Sequence, residues 1–213
     1  MKITLIYDNT VHKEGLRADW GFACLIEIEG CPKILFDTGA NGKILLSNMK
    51  ALDIDPSSIE EVMISHNHWD HTGGLSDILK ANNTIKLYVP ASFPDVPGAK
   101  EVVRVDNPLE IHDDVFSTGE LSNIEQSLII KTQKGLTVIA GCSHSGVTNI
   151  LEVASQFGSP YALIGGLHGF REFDVLKGLT LVCACHCTQY QSEIKHLYPD
   201  KYIDGGAGKV ITI

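Results

Sequence analysis

The chain has 213 residues, of which 44% are hydrophobic and 20% charged, an ordinary balance for a globular protein able to bury a full core. A formal net charge of −9 argues against a surface made for nucleic acid, which needs clustered lysine and arginine, although bound divalent cations would still let an anionic small molecule approach. No run approaches the roughly 18 apolar residues of a membrane span, and Asp8 cuts the first apolar run short, so neither membrane nor export leader is expected and the cytoplasm is the expected compartment.

Residues 1–213 read as one layered domain, without repeats or low-complexity linkers. Lys2 to Tyr7 alternates as an opening strand. Gly21 to Glu29 and Lys33 to Phe36 are two further strands, joined by a turn at Gly30-Cys31-Pro32 short enough to make a hairpin. Gly42 to Leu52 fits a helix, with Leu45, Met49 and Leu52 on one face. Glu61 to Ser65 is a short strand, Gly74 to Lys80 a helix and Lys86 to Val89 a strand; Pro90 to Gly98 is a loop. Several short strands fill Glu101 to Ile130, and Leu136 to Ala140 is a buried one. A helix follows, with Val147, Ile150, Leu151, Ala154 and Phe157 at helical spacing. Tyr161 to Ile164 and Thr180 to Ala184 are strands, Gln189 to Tyr198 is the last helix, and Lys209 to Ile213 a closing strand. Strands first and helices outside two sheets is the expected layering.

Four of these strands run out into histidine, at His66, His144, His168 and His186. Adding His68 and His71, six of the nine histidines sit at strand ends, where loops of α/β layers converge on one edge. His66-Asn67-His68-Trp69-Asp70-His71 offers four metal-ligating side chains in six residues. Imidazole and carboxylate suit zinc, with iron or manganese as alternatives. In an extended loop alternate residues point one way, so His66 and His68 meet one ion while Asp70 and His71 turn towards a second.

The run from Ser65 to Leu75, with Asp37-Thr38-Gly39, resembles the motifs of the metallo-β-lactamase superfamily, and the resemblance spans roughly Lys2 to Thr188. It implies an αββα sandwich of two mixed sheets flanked by helices. It implies a first metal on His66, His68 and His144, a second on Asp70, His71 and His186, and Asp37 as a brace that touches no metal. Asp70 and His168 are the expected catalytic residues. Many members supply an aspartate that bridges both ions from the strand after the third motif; here that strand ends Ile164-Gly165-Gly166-Leu167-His168, with no carboxylate. Strand alternation puts His168 on the metal-facing side, as ligand, proton donor or substrate anchor. The second and third roles are preferred, because six other residues already fill two sets.

Gly-Cys-Ser-His-Ser-Gly, Gly-Gly-Leu-His and Cys-His-Cys-Thr are together similar to the 7,8-dihydropterin-6-ylmethyl-4-(β-D-ribofuranosyl)aminobenzene 5′-phosphate synthases, which join a pterin diphosphate to an aromatic ribosyl phosphate with diphosphate leaving. The implied activity is a hydrolase or such a transferase, using two divalent ions on a small, anionic, phosphorylated or ester substrate. The alternative is a metal-binding redox or sensing module. Cys183, Cys185, Cys187 and Cys142 lack Cys-x-x-Cys spacing and read as buried packing, and Gly205 to Gly208 as a tight turn.

Overall fold

The computed structural model describes all of residues 1–213. Along the chain it places β1 at Lys2–Tyr7, β2 at Ala23–Glu27 and β3 at Ile34–Phe36, then α1 at Gly42–Ala51 and β4 at Glu61–Met63. Next come α2 at Trp69–Thr72, α3 at Leu75–Ala81, β5 at Lys86–Pro90 and β6 at Glu101–Val105. The second half holds β7 at Leu109–His112, β8 at Val115–Ser117, β9 at Leu128–Thr132 and β10 at Gly135–Ala140. It closes with α4 at Val147–Ala154, β11 at Pro160–Gly166, β12 at Leu181–Cys185, α5 at Gln191–Leu197 and β13 at Val210–Thr212.

One sheet has the order β13-β1-β2-β3-β4-β5-β6 and the other β12-β11-β10-β9-β8-β7. Each is antiparallel at one end and parallel at the other: β3 to β6 run parallel in the first, β10 to β12 in the second. Three apolar layers follow from this arrangement. Ile3, Phe22, Phe36, Ile139, Ile164 and Cys183 belong to the layer between the sheets. Leu45 and Met49 of α1 and Ile78 of α3 cover the outside of the first sheet; Val147, Ile150 and Ile194 of α4 and α5 cover the second. Leu45 and Met49 are wholly buried, which contributes about 1.5–3 kcal/mol each. Asn41 caps α1, its side chain accepting from Lys43 and Ile44 N–H. The result is an αββα sandwich.

Three local expectations need correction. The segment after His66 is not extended throughout: Trp69–Thr72 is one helical turn, closed by Gly73 N–H donating to Trp69 C=O. Local alternation therefore does not orient Asp70 and His71; the turn does. Phe173–Gly178 forms a 3-10 helix where no element was expected. Finally, β11 ends at Gly166 and His168 sits at φ 46°, in the left-handed region, so strand alternation does not set the direction of its side chain. The Gly205–Gly208 stretch does turn, with Lys209 N–H donating to Gly206 C=O. Cys183 and Cys185 lie in the layer between the sheets, and all six cysteines are free thiols.

Candidate metal centre

The C-terminal ends of five of the parallel strands, β3 and β4 in one sheet and β10, β11 and β12 in the other, meet at one edge, and each delivers a residue of the site there. Asp37 follows β3, the His66 segment follows β4, Cys142 and His144 follow β10, His168 follows β11 and His186 follows β12. Asp37, Ser143, His168 and His186 all carry positive φ, from 46° to 60°, although none is glycine. Left-handed backbone at non-glycine residues is uncommon, and its concentration here turns each chain sharply out of its strand towards the edge. Gly73 answers a different need: a Cβ there would lie 2.0 Å from the Ala40 carbonyl oxygen, so only glycine lets the histidine turn pack on the loop after β3.

The histidines form one continuous cluster. Ring centroids are 4.5 Å apart for His66 and His68, and 4.8 Å from His144 to each of them. His66 and His71 are 4.2 Å apart, and His71 and His186 4.9 Å. Asp70 Oδ2 lies 3.3 Å from His186 Nε2 and 3.8 Å from His71 Nε2. Thus the structure brings together all six residues proposed as ligands. His168 stands at the rim, exposed, with its ring 5.0 Å from that of His144.

Asp37 is wholly buried and does not face the cluster's centre. Its carboxylate accepts from Ser65 N–H, Ser65 Oγ–H and His71 Nδ1–H, each at 2.7 Å. Burial raises its pKa to about 8, against the pull of the Ser65 donors; a cation beside His71 would favour the ionised form. Since Ser65 spends its proton on Asp37, its oxygen accepts from His66 Nδ1–H at 2.9 Å. Asn9 does the same for His186. Its Oδ1 accepts from Gly21 N–H and from His186 Nδ1–H, both at 3.0 Å, while its Nδ2 donates to the His186 carbonyl. These partners hold the proton on Nδ1 of His66, His71 and His186, which leaves each Nε2 lone pair directed into the cluster.

The charge environment agrees with ligand duty. Burial lowers the pKa of His66, His71 and His144, and neighbouring imidazoles lower it further, so these rings stay neutral. Burial works to raise Asp70, yet His186 and His71 beside it carry its pKa below the usual carboxylate range. Two buried atoms, His144 Nε2 and His186 Nε2, have no hydrogen-bond partner. A bare buried nitrogen is costly, and that of His186 lies 3.3 Å from the Asp70 carboxylate, where a cation would satisfy both, so this donor set fits divalent metal ions.

Several residues at this edge were missed by the sequence reading. Ser65 and Asn9 carry no local signal of their roles. Asp8 accepts from His186 N–H at 2.9 Å, and Trp20 donates its indole N–H to Asp70 Oδ2 at 3.0 Å. Glu125, from the loop before β9, accepts from Ser145 N–H and Oγ–H at 2.7 Å and so holds the loop that carries His144. Cys142 reads as packing in the sequence, but its Sγ lies 3.1 Å from His71 Nε2. Beside the cluster opens a cleft of about 850 Å³, with His144, His168, Asn149 and Arg171 on its walls.

Fold and edge together define a metallo-β-lactamase-type centre, and the family model described as Metallo-beta-lactamase superfamily matches residues 21–151. The chain belongs to that superfamily. It is 29% identical to the 7,8-dihydropterin-6-methyl-4-(beta-D-ribofuranosyl)-aminobenzene-5′-phosphate synthase of Methanocaldococcus jannaschii, across 98% of this chain and 95% of the relative. An uncharacterised protein of the same organism is 26% identical, over 99% of this chain and all of its own length. Among solved structures, the metal-dependent hydrolase of the beta-lactamase superfamily Tm1679 superposes with a TM-score of 0.81 at 24% identity, covering 100% of this chain and 99% of that one. Zinc-bound PqqB from Methylobacterium extorquens gives 0.63 at 9% identity with both chains fully covered. These two share the fold.

Proposed function

We propose that this protein is a metal-dependent enzyme that holds two divalent ions and transfers or hydrolyses a small phosphorylated substrate. His66, His68 and His144 hold the first ion; Asp70, His71 and His186 hold the second. The observation that carries this reading is the buried, unpartnered Nε2 of His186, 3.3 Å from Asp70 Oδ2, in a cluster where outer partners fix the rings of His66, His71 and His186. Zinc suits this donor set first, iron and manganese next. Bound there, such ions polarise a phosphoryl or carbonyl oxygen and acidify water.

The chain's own groups supply the rest. The cleft beside His144 receives the substrate, and the Arg171 guanidinium on its wall, stacked 4.5 Å over the Tyr190 ring, offers a fixed cation for a phosphate. His168 at the rim donates a hydrogen bond or a proton to the departing oxygen. Asp70, held by the Trp20 indole, keeps its carboxylate turned to His186 and away from solvent.

Similarity over almost the whole chain to the synthase supports a particular substrate pair: a dihydropterin diphosphate and a ribofuranosylaminobenzene phosphate, with diphosphate leaving. The test is metal analysis of purified protein followed by diphosphate release from the pterin substrate, with and without the aromatic acceptor. Release that requires the acceptor is transfer, and release without it is hydrolysis. Turnover that survives complete removal of metal would refute the reading.

A further inference from the structure

Cys142 occupies a position that packing alone does not explain. Its Sγ belongs to two groups of ligand atoms at once: with Asp70, His71 and His186, and with His66 and His144; within each group all atoms lie within 4.8 Å of one another. It is the single side chain common to both groups. The His71 Nε2 to Cys142 Sγ distance is 3.1 Å, and bonds of about 2.0 Å to nitrogen and 2.3 Å to sulfur at a tetrahedral zinc set that edge at about 3.5 Å. A shift of a few tenths of an ångström therefore suffices for ligation.

The strand end that carries a bridging aspartate in many superfamily members has no room for one here. A Cβ on Gly166 would lie 2.4 Å from the Gly141 carbonyl oxygen and 2.6 Å from Cys187 Sγ; on Gly165 it would lie 1.9 Å from the Ala140 oxygen. Strand β11 is packed so tightly against the end of β10 that no side chain can enter from it. The β10 end itself fills the gap with Cys142, whose residue is 3% exposed. His186 Nε2, unpartnered on a side chain with no exposed surface, is aimed into the same space.

We propose that Cys142 Sγ bridges the two ions, as a thiolate in the place of the missing carboxylate. This rests on the two-metal reading above. Two bonds of about 2.3 Å at one sulfur span the roughly 3.5–4 Å between ions of a paired site at an open but ordinary angle. On ligation the S–H bond breaks, the sulfur keeps the electron pair for the metals, and the proton passes to solvent.

Cobalt(II) reconstitution under reducing conditions tests this without reference to turnover. Thiolate-to-cobalt charge transfer absorbs in the near ultraviolet, and imidazole and carboxylate ligands give no such band. In the wild-type protein the band should grow through both the first and the second equivalent of cobalt. Cys142→Ser should lose the band and bind the second equivalent at least about tenfold more weakly, whereas Cys187→Ser should keep it. Bound cobalt without the band, a band that survives Cys142→Ser, or one complete at the first equivalent overturns the bridge and leaves the metal reading standing. A wild-type protein that binds no cobalt overturns both. The wild-type spectrum decides the first of these even if a variant fails to fold.

Discussion

Replacing Asp37 with alanine is the most informative single perturbation of the centre, because this residue touches the ligands only through their outer atoms. The substitution strands two buried donors, Ser65 N–H and His71 Nδ1–H, each of which now donates at 2.7 Å. Each stranded donor costs about 1–3 kcal/mol. Part is returned, since a buried carboxyl whose pKa stands near 8 is itself costly to keep. A net loss of about 3 kcal/mol is expected, or roughly 6–12 °C in Tm for a chain of this size. The third donor is not stranded. Ser65 Oγ–H can swing to His66 Nδ1, 2.9 Å away, but it then drives the ring proton to Nε2, the atom meant for metal. Metal affinity should consequently fall by about 10- to 100-fold. Asp37→Asn keeps the volume but sets an amide N–H against at least one of these donors, so it should spare Tm more than affinity. Thermal denaturation of the metal-free protein and chelator competition of the loaded one measure the two effects separately. Alanine with unchanged Tm and unchanged affinity would refute the wiring argued here.

Three further outcomes follow from the same geometry. His168→Ala should keep its metal content and lose at least about tenfold in turnover, since the ring stands beside His144 rather than among the paired ligands; loss of bound metal would make it a ligand instead. Asn9→Ala frees His186 Nδ1 and should weaken the second ion by about tenfold while sparing the first, which stepwise metal titration resolves. The pH response has a definite sign. Burial lowers His66, His71 and His144 below 6.5, so the unfolded chain takes up protons that the fold refuses, and stability is lost as pH falls through this range. Asp37 and Asp8, raised by burial, act in the opposite direction. Three imidazoles outweigh two carboxyls, so the denaturant midpoint of the metal-free protein should drop between about pH 6 and 5; a rising midpoint contradicts the assignment.

Much of this molecule was legible in one dimension. Sheets with helices outside follow from strand alternation and from the helical spacing of residues such as Leu45 and Met49, and the αββα order is what the resemblance of the Ser65–Leu75 and Asp37–Gly39 motifs implied. The meeting of His66, His68, Asp70, His71, His144 and His186 follows from ligand-type side chains recurring at strand ends. Both are local properties: periodicity reports which face is buried, and residue type reports which chemistry is available. What local pattern could not give is direction once the backbone leaves the strand. Left-handed φ at Asp37, Ser143, His168 and His186 breaks the alternation on which such reasoning depends. Nor could it give partners that only closure of the two sheets brings together. Asn9, after β1 of one sheet, sets the tautomer of a histidine 177 residues away, after β12 of the other. Cys142 shows the limit most plainly. Between an apolar strand and a serine it reads as a small hydrophobe, and its place among the histidines shows only once the ends of β10 and β11 pack together, with no room for a Cβ on Gly165 or Gly166.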